Sequence, residues 1–146
     1  MERDVKKKME EYLLSHYYVR LATLKSDGNP VVHTVGYASE GLTLYIMTDR
    51  PSRKAGNIMK NPHVAYAVDE NYEDFSRIRG IQMEGKAAVV EERAEIEKAV
   101  GLLQKKFKQY ATLPQDRDFV IIRVEPAAGY YLDNSVRFGY RDKITF

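Results

Sequence analysis

The residues of this sequence best suited to chemistry are Ser52, Arg53 and Lys54, a hydroxyl followed by two adjacent cations. They lie between an apolar segment, 42–47, and a short segment, 55–59, whose apolar residues recur at helical spacing. Ser52 is a good helix N-cap because its hydroxyl accepts a hydrogen bond from a free backbone N–H. A hydroxyl, two cations and free N–H groups at one helix start are the groups that bind a phosphate dianion.

The same cations also have an ordinary interpretation. Lysine and arginine are common near helix starts, although the helix dipole disfavours them there by a few tenths of a kcal/mol. A bound anion would offset that cost at Arg53 and Lys54. Two interpretations therefore stay open at this point, a phosphate site and a solvated helix end.

Antiparallel hairpins are predicted before this junction. Asp27-Gly28, placed between two apolar runs, is a strong hairpin signal and separates strands predicted over 18–24 and 31–38. A third strand, predicted over 42–47, follows the next turn and leads directly into the helix of Ser52. The three strands form a β-meander whose last strand leads into the candidate site.

The rest of the chain is predicted to hold two longer helices and three more strands. The helices are predicted over 5–13 and 92–110, and the strands over 63–68, 79–90 and 119–124, the last ending at Pro126. Gly85 indicates a bulge or bend, and the segment 130–140 shows neither a helical nor a strand period. This order lacks βαβ alternation, which favours a mainly β (α+β) fold, a six-stranded antiparallel β-barrel with peripheral helices.

Composition narrows the class of protein. The 146 residues suit a single domain spanning 1–146, and 23 basic against 21 acidic residues give a net charge of +2, too balanced to indicate nucleic acid. No apolar run approaches a membrane span, and cysteine is absent, so we expect a cytoplasmic protein with no membrane partner. His16, His33 and His63 are too dispersed to predict a metal site, and no catalytic residue stands out.

A run of residues around the junction resembles a known family. Thr48, Ser52-Arg53-Lys54-Ala55, Ile58 and Asn61-Pro62, together with Arg79 and Gly85-Lys86-Ala87, are similar to the pattern of the pyridoxamine 5'-phosphate oxidase-like FMN-binding split-barrel family. The resemblance covers roughly residues 10 to 133. It implies a six-stranded antiparallel split β-barrel that forms a homodimer, with two FMN molecules bound in grooves between the subunits.

The resemblance also implies a set of cofactor-binding residues on three strands and one helix start. Val32, His33 and Thr34 would flank the flavin and its ribityl chain, Met47 and Thr48 the ribityl phosphate, Ser52, Arg53 and Lys54 the phosphate, and Gln82 the flavin.

Aromatic residues near the end of the chain suggest a further contribution. Exposed aromatic rings in a loop are costly unless something covers them. We hypothesise that Tyr131, Asn134 and Phe138 help to close the flavin groove of the neighbouring subunit, with plain dimer packing as the alternative.

This sequence differs from two better-known groups of the family, and these differences bear on its expected function. The segment 138–142 differs from the substrate-binding segment of vitamin B6 oxidases, and no histidine follows His63, unlike in haem-degrading relatives. The sequence therefore favours an FMN-dependent oxidoreductase acting on an unidentified small molecule. An F420-dependent reductase and a non-enzymatic flavin carrier or sensor remain as alternatives.

Overall fold

The computed structural model describes residues 2–112 and 118–146, which form three α-helices, eight strands and two short 3-10 turns. The helices are α1 (Glu2–Ser15), α2 (Arg53–Lys60) and α3 (Arg93–Lys106). The strands are β1 (Tyr18–Leu24), β2 (Pro30–Gly36), β3 (Ala38–Glu40), β4 (Thr43–Asp49), β5 (His63–Asp69), β6 (Arg79–Val89), β7 (Phe119–Asp133) and β8 (Arg141–Thr145). The 3-10 turns are Phe75–Arg77 and Lys108–Thr112.

All the strands pair antiparallel in one curled sheet. Its order is β2-β1-β5-β6-β7-β4-β3, and β8 pairs with the second half of β7. The two ends of this order, β2 and β3, are joined in the chain by Tyr37 alone, so the sheet curls into an open half-barrel. Tyr37 is fully buried at this closure, where its hydroxyl donates to the Leu13 carbonyl oxygen over 2.7 Å.

The core lies inside the curled sheet and under α1. Alternate residues of β1, Val19, Leu21 and Thr23, are buried, as the period of two in a half-buried strand requires. Met9 and Leu13 of α1 pack into the same apolar cluster from one end. A second cluster lies between α3 and the outer face of β4 and β7. Helix α1 thus covers the inner core, and α3 covers part of the outer face of the sheet.

The predicted fold class is confirmed, and the strand count is corrected from six to eight. Tyr37 divides the second predicted strand into β2 and β3, and β8 lies in a segment for which no strand was predicted. Pro126 does not end β7, because a bulge there breaks the pairing register with β6 between Glu84 and Gly85. A proline is tolerated at a bulge, where its missing N–H is not needed.

Two other sequence expectations are wrong in detail. The segment expected to be aperiodic begins inside β7, which includes Tyr130 and Tyr131. The helix predicted to reach residue 110 ends at Lys106, and Phe107 packs edge-on against Tyr17 at 5.7 Å between ring centroids. Tertiary packing of that ring therefore overrides the local helical pattern. Among the described helices none is long and apolar enough to cross a membrane.

Candidate functional site

The candidate site lies where β4 turns into α2. Ser52 is the N-cap of α2, as predicted, and its side-chain oxygen accepts from the Ala55 N–H over 3.2 Å. The Ser52 N–H donates to the Asp49 carbonyl oxygen, and the Thr48 hydroxyl donates to Ser52 Oγ over 3.3 Å. These bonds hold the start of the helix against the end of the strand.

Two cations stand at this helix start without a counter-charge. The first turn of α2 contains no acidic residue, and within the described residues neither Arg53 nor Lys54 forms an ion pair. Arg50 differs, since its Nε lies 2.9 Å from a carboxylate oxygen of Asp118. Arg53 is exposed and Lys54 is partly buried. The positive end of the helix dipole and two unpaired cations thus concentrate positive potential at one point.

His33 lies within electrostatic range of these cations. It belongs to β2, opposite Leu21 of β1, and its Nδ1 is buried without a hydrogen-bond partner among the described residues. Burial, together with the charges of Lys54 and Arg53, lowers the pKa of His33. This environment favours the neutral form of the imidazole. The structure thus brings together three residues that the sequence placed in one site from two separate segments.

A buried hydrogen bond behind the junction was not anticipated from the sequence. Asn57 Nδ2 donates to Thr23 Oγ1 over 3.0 Å, and both residues are buried. The available signal was the position of Asn57 between Ala55 and Ile58, on the apolar face of α2. A polar residue on a buried helix face requires a partner, but the sequence does not reveal which strand supplies it.

Val32, Thr34 and Gln82 lie on the outer face of the sheet. Cross-strand partners share a face, and successive partners connect Thr34 to Arg20, then to Ala67, then to Gln82. A groove of about 680 Å³ runs across this face. Its lining includes Val32 and Gln82, a floor of Ala22, Ala65, Ala67, Ala128 and Gly129, and the side chains of Arg20, Tyr130 and Lys143.

Met47 and Thr48 point to opposite faces of β4, as adjacent strand residues do. Thr48 is buried beside Ser52. Met47 packs against the cluster under α3 and lines a separate cavity of about 620 Å³. The structure therefore brings the Thr48 side chain to Ser52, whereas the Met47 side chain faces the cavity that Ile58 and Met59 of α2 also line.

The three residues proposed near the end of the chain have different environments. Tyr131 is buried and packs edge-on against Tyr12, with 5.7 Å between ring centroids. Asn134 is buried too: its Nδ2 donates to the Phe75 carbonyl oxygen and its Oδ1 accepts from the Gly139 N–H, both over 2.9 Å. Phe138 is 80% exposed. Of these three residues, Phe138 therefore has the side chain most available to another molecule.

Along β7, Tyr131 lies well beyond the residue that pairs with Thr48. Thr48 pairs with Val120 near the start of β7, and Tyr131 follows eleven residues later in the same strand. At about 3.3 Å per residue, the path along the strand is roughly 36 Å. The sequence interpretation assigns these residues to the groove of a neighbouring subunit, whereas Tyr130, directly before Tyr131, lines the outer groove of the same subunit.

The junction is chemically a set of donors. It offers backbone N–H groups, a guanidinium and an ammonium, which suit a phosphate better than a neutral ligand. Among the described residues no group of three or more histidine, aspartate or glutamate side chains is arranged to hold a metal ion. The arrangement can bind an anion and has no evident acid–base pair of its own.

Comparison with known proteins gives evidence on the family to which this chain belongs. A family model described as pyridoxamine 5'-phosphate oxidase matches residues 5–133. General stress protein 26 from Bacillus subtilis is 27% identical over 125 residues, which cover 86% of each chain.

Solved structures share the fold. General Stress Protein 26 from Bacillus anthracis superposes with a TM-score of 0.74 at 23% identity, covering 97% of this chain and 98% of that one. ChuZ from Campylobacter jejuni gives a TM-score of 0.81 at 21% identity, covering 98% of this chain and 60% of that one. HutZ from Vibrio cholerae, described as a heme storage protein, gives 0.71 at 20% identity, covering 84% and 89%.

Proposed function

We propose that this chain, which belongs to the pyridoxamine 5'-phosphate oxidase family, binds FMN with its phosphate at the start of α2. The observation that carries the proposal is the pair of cations beside a capped helix start, Arg53 and Lys54, for which the described residues supply no ion-pair partner. FMN ends in a phosphate monoester that is doubly charged near neutral pH, which suits two cations and free N–H groups.

Each residue of the junction has a distinct role in this proposal. Ser52 fixes the start of the helix, and Thr48 donates a hydrogen bond to Ser52. Arg53 and Lys54 neutralise the phosphate. The alanine floor of the outer groove offers a flat surface for the flavin ring, with Val32 and Gln82 beside it. Bound FMN would supply the electron transfer, while the protein supplies binding, orientation and electrostatics.

The proposed biological form is a homodimer. The groove is open to solvent on the outer face of the sheet, and the small residues of its floor permit close approach by another molecule. A second copy of the chain would supply the opposite wall, and two-fold pairing is the commonest oligomeric arrangement. The absence of cysteine suits the reducing cytoplasm, where we place this protein.

The proposed reaction is oxidation or reduction of a small molecule by the bound flavin. F420 in place of FMN, and a flavin carrier without catalysis, are the alternatives that use the same junction. HutZ is described as a heme storage protein, but the phosphate-type junction of this chain favours FMN here. The absorption spectrum of the purified protein separates FMN, F420 and haem, and reduction by NADH or NADPH separates an enzyme from a carrier.

Removal of both cations tests the phosphate assignment. One charge-assisted contact contributes about 1.5–3 kcal/mol, roughly tenfold to a hundredfold in affinity, so Arg53→Ala with Lys54→Ala should weaken FMN binding by more than the loss of one contact does. Riboflavin, which lacks the phosphate, should bind the variant and the wild type alike. Titration by flavin fluorescence measures both affinities.

The matched control is Lys60→Ala, which removes an exposed lysine from the other end of the same helix. This variant should bind FMN as the wild type does. Wild-type FMN affinity in the double variant would show that the phosphate does not bind at this junction.

A further inference from the structure

The hydrogen bond between Asn57 and Thr23 is a polar side-chain link between the buried face of α2 and β1. Asn57 Nδ2 lies 3.0 Å from Thr23 Oγ1, and their exposed fractions are 9% and 1%. Their surroundings are apolar: Ala55 and Ile58 flank Asn57 on the buried face of α2, and Leu21 precedes Thr23 on the inner face of β1.

Stability alone does not explain this pair. A buried hydrogen bond adds little net stability, and an apolar pair of the same shape is often equally stable. Apolar contacts are not directional, whereas a hydrogen bond fixes distance and angle. The hydrogen bond between Asn57 and Thr23 therefore fixes the position of α2 against β1.

The position of α2 determines where the two cations lie. Asn57 follows Lys54 by three residues and Arg53 by four, so all three lie on adjoining parts of the helix surface. The helix has eight residues, about 12 Å in length, and its buried apolar side chains are Ala55 and Ile58. The Thr48–Ser52 hydrogen bond fixes the point where α2 begins. The rotation of the helix about that point is set by these few apolar contacts and by the Asn57–Thr23 hydrogen bond.

We propose that Asn57 and Thr23 are positioning residues of the phosphate site. Their hydrogen bond holds α2 in the rotation that places Arg53 and Lys54 beside His33, where the cofactor's phosphate binds. This inference rests on the proposed function, because it concerns the geometry of the same site.

The test uses two substitutions of Thr23 that differ in one group. Thr23→Val has nearly the same shape but removes the oxygen that accepts from Asn57, whereas Thr23→Ser keeps that oxygen. The readout is the ratio of the riboflavin dissociation constant to the FMN dissociation constant, because this ratio reports the phosphate contact alone. A merely structural role would change thermal stability and leave the ratio unaltered.

We expect Thr23→Val to weaken FMN binding about tenfold or more, with riboflavin binding changed less than about twofold. Thr23→Ser should retain the wild-type ratio. A second variant, Thr23→Val with Asn57→Leu, replaces the polar pair by an apolar one, so it folds even where the single variant does not. We expect it to lose the FMN preference as well.

The outcomes are distinct. A wild-type ratio in folded Thr23→Val, or in the folded double variant, overturns the positioning role while the phosphate site stands. If the wild-type protein itself shows no preference for FMN over riboflavin, the proposed phosphate site is wrong, and this inference is wrong with it.

Discussion

At the scale of single residues, Gly85 shows how closely β6 and β7 approach each other. A side chain at this position would overlap the carbonyl oxygen of Glu125, which is part of the facing backbone and cannot move aside. The bulge that admits Pro126 into β7 lies at the same place. Gly85 is therefore a requirement of the local strand geometry.

We predict opposite effects for the same substitution at two glycines. Gly85→Ala should lower the free energy of unfolding by about 1–3 kcal/mol, the usual cost of overpacking. Gly101→Ala, at an exposed position of α3 with no atom near the added methyl group, should raise it by about 0.5–1 kcal/mol. Urea denaturation of both variants measures the two effects. An unchanged free energy in Gly85→Ala would contradict the tight packing.

At the scale of secondary-structure elements, Lys106 connects the end of α3 to the end of α1. Its ammonium group donates to the Leu13 carbonyl oxygen over 3.1 Å and lies 3.9 Å from the centre of the Tyr37 ring. Burial lowers the pKa of Lys106 to about 8. The contact therefore depends on an amine that loses its proton more easily than an exposed lysine does.

This pKa predicts a pH dependence with a defined sign. Between about pH 8 and pH 10.5, the unfolded chain keeps the proton on Lys106 and the folded chain releases it. Because the unfolded state binds more protons, the free energy of unfolding should rise with pH in this window, relative to Lys106→Met. Chemical denaturation at both ends of the window measures the difference. Lys105→Met, at the exposed neighbouring residue, should show no such difference from the wild type.

At the scale of the whole molecule, the end of the chain is part of the barrel as well as a candidate contact with the partner. Ile144 of β8 is buried and β8 pairs along β7, so removing residues after Asp133 would damage the core. Phe138 is exposed and packs only loosely against Phe75, at 6.3 Å between ring centroids. A point substitution of Phe138 can therefore test flavin binding without disrupting the fold.

We predict that Phe138→Ser leaves the proposed dimer and its thermal stability unchanged but weakens binding of both FMN and riboflavin. The loss of one stacking contact, about 0.5–1.5 kcal/mol, corresponds to roughly a twofold to tenfold change. Sedimentation measures the oligomeric state, and flavin fluorescence measures the affinity. A monomer in the wild type, or unaltered flavin affinity in the variant, would contradict this role for the tail.

Much of the fold was predictable because its signals are local. The hairpin at Asp27-Gly28, the N-cap at Ser52 and the helical period of α1 each depend on residues within one or two turns of the chain. The candidate phosphate site was found for the same reason, since Ser52, Arg53 and Lys54 are adjacent in sequence. The sequence by itself thus determined the antiparallel class, the short helix α2 and the cations at its start.

Only the tertiary structure decided the features that depend on distant residues. Thr23 and Asn57 are 34 positions apart, so their hydrogen bond exists only once β1 and α2 are packed together. The extension of β7 past Pro126 depends on the facing Gly85, and the end of α3 depends on the packing of Phe107. Local preferences differ by about 1 kcal/mol or less, whereas strand pairing and ring burial contribute more. Long-range packing therefore overrides the local pattern wherever the two disagree.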